Sequence, residues 1–159
     1  MNESQDTTRS NPRIRNWVAI ARVCHLVKQK LDRELRPLDI KSPQLDVLVN
    51  LLTHEGITQQ ELADRLLVGR SNMTMLLPQL EKRGILVRRP CADDRRALRV
   101  YLTDSGRDLA TRALQVQRAV VDDIMALSTP EECDMVGDQM RRIIDRLLND
   151  ETRELDTAG

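Results

Sequence analysis

The chain has 159 residues, 40% of them hydrophobic, and a formal net charge of zero. One Trp, one Tyr and no Phe leave an aliphatic core and argue against the aromatic stacking platforms of single-strand and RNA binders. Cys24, Cys91 and Cys133 are odd in number and far apart, which gives neither a disulfide framework nor a paired metal motif. No apolar run reaches the length of a membrane span, so we expect a cytoplasmic chain with no membrane partner, no cofactor and no metal.

Charge is unevenly placed. Lys82, Arg83, Arg88, Arg89, Arg95, Arg96 and Arg99 stand against only Asp93 and Asp94 in the same stretch, and the balance reverses from Glu131 to Asp156. A basic middle and an acidic tail suit a molecule that turns one face to an anionic partner.

Residues 1–10 are polar with nothing to bury and read as a disordered tail. Asn11-Pro12 is a helix start, with Asn as N-cap and Pro at the first helical position. Trp17, Ile20, Cys24, Val27, Leu31 and Leu35 then recur at spacings of three and four, the stripe of one long amphipathic helix. Pro37 ends it. Ser42-Pro43 repeats the start signal for a second helix carrying Leu45, Leu48, Leu51 and Leu52. Thr58 and Glu61 form a capping box for a third, and Leu67-Val68-Gly69 is the following turn, with Gly69 free to take the left-handed conformation.

The fourth helix runs from about Arg70 to Arg83. Pro78 lies inside it and should bend it at Thr74, behind the first half. Residues 85–90 and 98–102 are short β runs joined by the loop CADDRRA. Thr103 caps a fifth helix, and Thr129-Pro130-Glu131-Glu132 opens a last one with Cys133, Val136, Met140, Ile143, Ile144 and Leu147 at helical spacing. After Asn149 the chain is polar and expected to fray.

The order α-α-α-α-β-β-α-α is mainly α and defines a winged helix-turn-helix at 42–103. The terminal helices at 11–36 and 104–148 carry apolar stripes that could pack on each other or on a second copy, the latter making them the dimerisation region of the same single domain (11–148), and 149–159 is a polar tail. Such motifs read duplex DNA with the N-terminal half of the second helix. Here that half offers Arg70, Ser71, Asn72 and Thr74: guanidinium, hydroxyl and amide groups suited to base edges and phosphates. At the hairpin tip, Arg95 and Arg96 could enter a minor groove, and Asp94 could orient Arg96. The plainer readings are a capped, solvated helix start and a surface ion pair.

The stretch resembles the MarR family of bacterial transcriptional regulators. Asp94, Arg96, Val100, Leu102 and Thr103 match that family's wing pattern, and ITQQELADRL, VGRSNMT and LEKRGILVRR are similar to its helix-turn-helix. The resemblance implies a homodimer, triangular in outline, whose terminal helices form the interface and whose two lobes bind a pseudo-palindromic operator. It implies major-groove reading by the fourth helix and minor-groove contact by Arg96, with Asp94 as orienter. Pro78 departs from the family's usual polar residue there.

Many such regulators respond to small aromatic or phenolic ligands or to oxidants. Trp17 and Asp46 are candidate ligand-pocket residues by comparison with a urate-responsive branch, and are otherwise interface packing and a solvated helix residue. Cys24 sits on the first helix, where a peroxide-responsive branch keeps its cysteine, and otherwise reads as a small buried hydrophobe. Cys91 reads as the more exposed thiol, with cationic neighbours that would favour a thiolate. The expectation is a DNA-binding regulator, a homodimeric repressor released by a small ligand. The alternatives are a protein-interaction module built on the same fold and a redox-responsive regulator acting through Cys24 or Cys91. No stretch offers the nucleophile–base set or phosphate loop of an enzyme.

Overall fold

The computed structural model of the chain describes residues 11–91 and 97–157, and side chains as far as residue 150. The predicted N-terminal tail and the wing-tip residues Asp94, Arg95 and Arg96 lie outside the described residues. The elements are α1 (Pro12–Glu34), a 3-10 turn (Arg36–Leu38), α2 (Ser42–Thr53), α3 (Gln59–Arg65), α4 (Arg70–Lys82), β1 (Leu86–Pro90), β2 (Leu98–Leu102), α5 (Asp104–Met125) and α6 (Pro130–Thr157). The predicted order is the observed one. The chain divides into two compact units, up to Val120 and from Val121 onward.

Within the first unit the core is aliphatic. Leu45, Leu48 and Leu51 of α2, Leu62 of α3, Met73, Leu77 and Leu80 of α4, and Leu86 and Val100 of the hairpin are buried together. These are the residues at helical spacing on α2 and α4, and each fully buried aliphatic side chain favours the folded state by roughly 1.5–3 kcal/mol. α1 behaves differently: none of its residues is fully buried. The helix docks through its C-terminal end, where Leu31 packs against the core and Leu35, its C-cap, belongs to it.

Local signals explain most of the helix starts. Asn11 Oδ1 accepts from the Arg13 amide at 2.9 Å. Thr58 and Glu61 form the predicted box: the Thr58 amide donates to Glu61 Oε2 at 2.6 Å and the Glu61 amide to Thr58 Oγ1 at 3.1 Å. In the second unit Thr129 and Glu132 repeat it at 2.9 and 3.3 Å.

Three expectations are corrected. Ser42 is the first residue of α2, not its cap. Its amide and hydroxyl both donate to Asp32 Oδ1, at 2.7 and 2.6 Å, so a carboxylate from α1 does the capping. In the turn after α3, Leu67 takes the left-handed conformation (φ 51°), while Gly69 is extended and precedes α4. The Leu67 amide donates to Asp64 O and the Val68 amide to Ala63 O, a Schellman closure with leucine where glycine is usual. α6 extends past Asn149, where the sequence suggested its end, as far as Thr157. Arg146 pairs with Asp150 one turn on at 3.7 Å, a contact that a helix running past Asn149 makes possible.

β1 and β2 pair antiparallel with Arg88 opposite Val100, and the Cys91 amide closes on Ala97 O at 2.9 Å. The segment before α3 adds a third short rung. The Gly56 amide donates to Val100 O, the Val100 amide to Ile57 O, and Thr58 bridges Arg99. This pairing seats the start of the helix-turn-helix on the hairpin. α4 passes Pro78 without interruption, although proline offers no N–H to the Thr74 carbonyl.

Candidate nucleic-acid interface

The start of α4 is the polar, open end of the first unit. Arg70, Ser71, Asn72 and Thr74 are all exposed, while Met73 between them is buried and fixes the helix on the core. No side chain caps this end; the Asn72 amide turns back to Gly69 O at 2.9 Å, and the Arg70 and Ser71 amides ahead of it remain open to an anion. The four side chains are not equivalent. The Thr74 hydroxyl donates back to Arg70 O at 3.0 Å. Arg70 Nε donates to Gln60 Oε1 at 2.6 Å. The Ser71 and Asn72 side chains have no hydrogen-bond partner among the described residues.

The basic stretch, by contrast, is largely structural. Arg88 lies in β1 and is tied to Glu81 of α4, with its amide at 3.1 Å and two guanidinium nitrogens at 3.0 and 2.6 Å. The Arg88 guanidinium holds the Glu81 carboxyl below its ordinary pKa. Arg83 bonds Asp39 O at 2.7 Å and pairs with its carboxylate at 3.3 Å. Arg89 stacks over the Tyr101 ring, 5.2 Å from its centroid. Arg99 reaches Gly56 O at 2.6 Å and Cys91 Sγ at 3.4 Å. Four of the seven cations thus serve the fold of the wing and α4. A basic patch read from chain order alone does not reveal this, because the partners lie on other elements.

Cys91 is corrected too. It was expected to be the exposed thiol, but it is buried, with its sulfur under Arg99. The hairpin closes immediately at Ala97, which turns the residue inward. Cys24 is exposed on α1 and Cys133 is half-buried.

Asp46 lies on the wall of a cleft of about 520 Å³ shared with Lys28 of α1, Pro43 of α2 and Asn72, Met75 and Leu76 of α4. It keeps an open surface, yet the surrounding protein removes enough water to raise its carboxyl pKa. Lys28 opposes that shift and Asp32 adds to it. Trp17 does not line this cleft. It stands 11 residues before Lys28 on α1, about 16 Å along the axis. Two residues of this end escaped the sequence reading. Met75, a large exposed apolar side chain on α4, was hidden by the apolar positions around it. Gln60 could have been noticed only as the partner of Asp64 one helical turn on.

Two helices joined by a tight turn, the second presenting an open polar end beside an antiparallel hairpin, define a winged helix-turn-helix. The MarR family model matches residues 38–97. A helix-turn-helix transcriptional regulator of Bacillus anthracis is 31% identical over 103 residues, covering 65% of this chain and 68% of that relative. The chain belongs to the MarR family and is a transcriptional regulator of the DNA-binding helix-turn-helix type, not an enzyme. Among solved structures, it is similar to the transcriptional repressor CouR bound to a 23-mer DNA duplex (TM-score 0.77, 25% identity, 91% of this chain and 98% of that one). It is also similar to a cysteine-to-serine mutant of MarR from E. coli with operator DNA (TM-score 0.70, 27% identity, 80% and 95%). No helix among the described residues is long and apolar enough to cross a membrane.

Proposed function

We propose that the chain is a homodimeric repressor that binds a pseudo-palindromic operator and is released by a small aromatic or phenolic ligand. The observation that carries the DNA reading is the end of α4. Ser71 and Asn72 stand open there, Arg70 is held beside them, and the first amides of the helix are uncapped. These groups read base edges and hold phosphates. Arg95 and Arg96, with Asp94 as orienter, extend the contact into the flanking minor groove.

Dimer formation is supported by apolar side chains left in water. On α1, Trp17, Val18, Val23 and Leu26 are exposed; on α6, Met135, Val136, Ile144 and Leu147 are exposed. Patterned stripes of this kind mark an interaction surface. A second copy covers both, and places two recognition helices for the two half-sites of a symmetric operator.

For the ligand, the cleft at Asp46 and Lys28 has apolar walls in Pro43, Met73 and Leu76 and a polar rim. That is the make-up of a site for a ring bearing a hydroxyl. Asn72 belongs both to this cleft and to the reading end of α4. An occupant there changes what α4 can offer to DNA.

The test is selection of bound fragments from the host genome, followed by affinity measured against salt. The expected result is an enriched inverted repeat bound more weakly as salt rises. Arg96→Ala should lower the slope of log affinity against log salt by about one unit. Binding insensitive to salt, or none, would favour a protein-interaction module instead.

A further inference from the structure

Gln60 sits between two ionised groups. Its Nε2 donates to Asp64 Oδ1 at 2.6 Å, one turn along α3. Its Oε1 accepts from Arg70 Nε at 2.6 Å, across the turn on α4. The alternation fixes the amide: turned over, its NH2 would face the guanidinium and its oxygen the carboxylate. A carboxylate, an amide and a guanidinium in series also polarise one another, so each bond strengthens the next. All three residues are exposed, and none of them belongs to the buried core that holds α3 on α4.

The arrangement has a directional consequence for Arg70. A free arginine at a helix start samples many rotamers and loses that freedom on binding. Here Nε is engaged within the chain, and the terminal pair of amino groups has no partner among the described residues. That pair is the fork that grips two acceptors at once. The amide also separates Arg70 from Asp64. Without it the guanidinium could fold onto the carboxylate and turn its fork away from the partner.

We infer that Gln60, backed by Asp64, is a positioning residue that presents the Arg70 fork to duplex DNA. This rests on the reading of α4 as the DNA-contacting helix, and the test separates the two.

The probe is the duplex that the full-length protein itself enriches from a random-sequence pool, and the readout is a double-mutant cycle in Kd. Gln60→Ala should weaken binding roughly five- to tenfold in the unaltered chain and by less than about twofold when Arg70→Ala is already present. Rescue is the second arm. Gln60→Glu alone sets two carboxylates against each other. Gln60→Glu with Asp64→Asn restores the alternation with the charge moved one place, and should return affinity to within about twofold of the unaltered chain.

Equal losses from Gln60→Ala in both backgrounds would overturn the inference, because support of the helix does not require Arg70. So would full affinity in Gln60→Ala where Arg70→Ala is impaired. Full affinity in Arg70→Ala, or a pool from which nothing is enriched, would overturn the underlying reading of α4 and this inference with it.

Discussion

Gly106 lies against the carbonyl oxygen of Ile85: a Cβ built on it would stand 1.8 Å from that atom. The same oxygen accepts from the Thr103 amide at 3.0 Å, and the Thr103 hydroxyl, 2.7 Å from Gly84 O and 3.0 Å from Ile85 O, shares its proton between the two carbonyls, which holds this oxygen in place. This is where the start of α5 is fastened to the entrance of the wing. In an open helix, replacing glycine by alanine gains up to about 1 kcal/mol. Here the clash reverses the sign. Gly106→Ala should destabilise the chain by at least about 2 kcal/mol, as overpacking against fixed backbone does. Urea unfolding should show a lower midpoint with an unchanged slope. A higher midpoint would mean that α5 can move off Ile85 freely.

What was legible beforehand follows how local each signal is. The boxes at Thr58/Glu61 and Thr129/Glu132 need only residues three apart, and the leucine spacing of α2 and α4 needs only one helix. Asp32 capping Ser42 and Gln60 holding Arg70 each span ten residues and two elements. Nothing in the chain order marks such pairs. Arg88 and Arg99 looked like ligands for an anion until Glu81 and the Gly56 carbonyl came beside them. Cys91 was misread for the same reason: a position at the edge of a loop suggested exposure, but the tight closure to Ala97 buries it.

Asp32 and Asp46 should respond to pH in opposite senses. Burial pushes the Asp32 carboxyl up, but the Ser42 hydroxyl and amide, with Lys28 and Lys41, outweigh it and leave its pKa below 3.8. A depressed folded pKa contributes stability that is complete above the unfolded value and is lost as pH falls through the folded one. Asp32→Ala should therefore cost about 1–2 kcal/mol near pH 7, the usual loss with a helix cap, and the gap should narrow as pH falls through the depressed pKa. For Asp46, burial raises the pKa, against Lys28 and with Asp32. Its charge opposes folding above the raised value, and that penalty disappears as pH falls through it. Asp46→Asn should be neutral or stabilising near pH 7, by less than about 1 kcal/mol given its open surface. Denaturant titrations at neutral and acidic pH check both signs. A cost for Asp46→Asn at neutral pH would show that its charge is paired, not penalised.

The three thiols should react in order of exposure. With a disulfide reagent on the folded chain at dilutions where the proposed α1 interface is open, Cys24 should label first, Cys133 more slowly and Cys91 only on unfolding. Thiolate chemistry needs access as well as a neighbouring cation, and Arg99 covers the Cys91 sulfur. Mild peroxide should accordingly leave DNA affinity intact. If it abolishes binding in the unaltered chain but not in Cys91→Ala, the redox reading through Cys91 gains over release by a ligand.

Trp17 is the only tryptophan in the chain, and 69% of its surface is open in the single chain. Its contribution to the isolated fold is therefore small, and Trp17→Ala should change unfolding free energy by no more than about 0.5 kcal/mol at high dilution. A proposed interface along α1 demands the opposite in the assembled protein. A covered tryptophan there is a large apolar anchor, and its loss should weaken self-association by about 2 kcal/mol or more. The indole supplies its own reporter. Emission should be shifted to the blue at concentrations where sedimentation gives a dimer, and should move to the red on dilution, with the same midpoint as the mass change. A red, exposed spectrum that persists in the dimer would place the interface elsewhere, and α1 would no longer set the spacing between the two copies of α4.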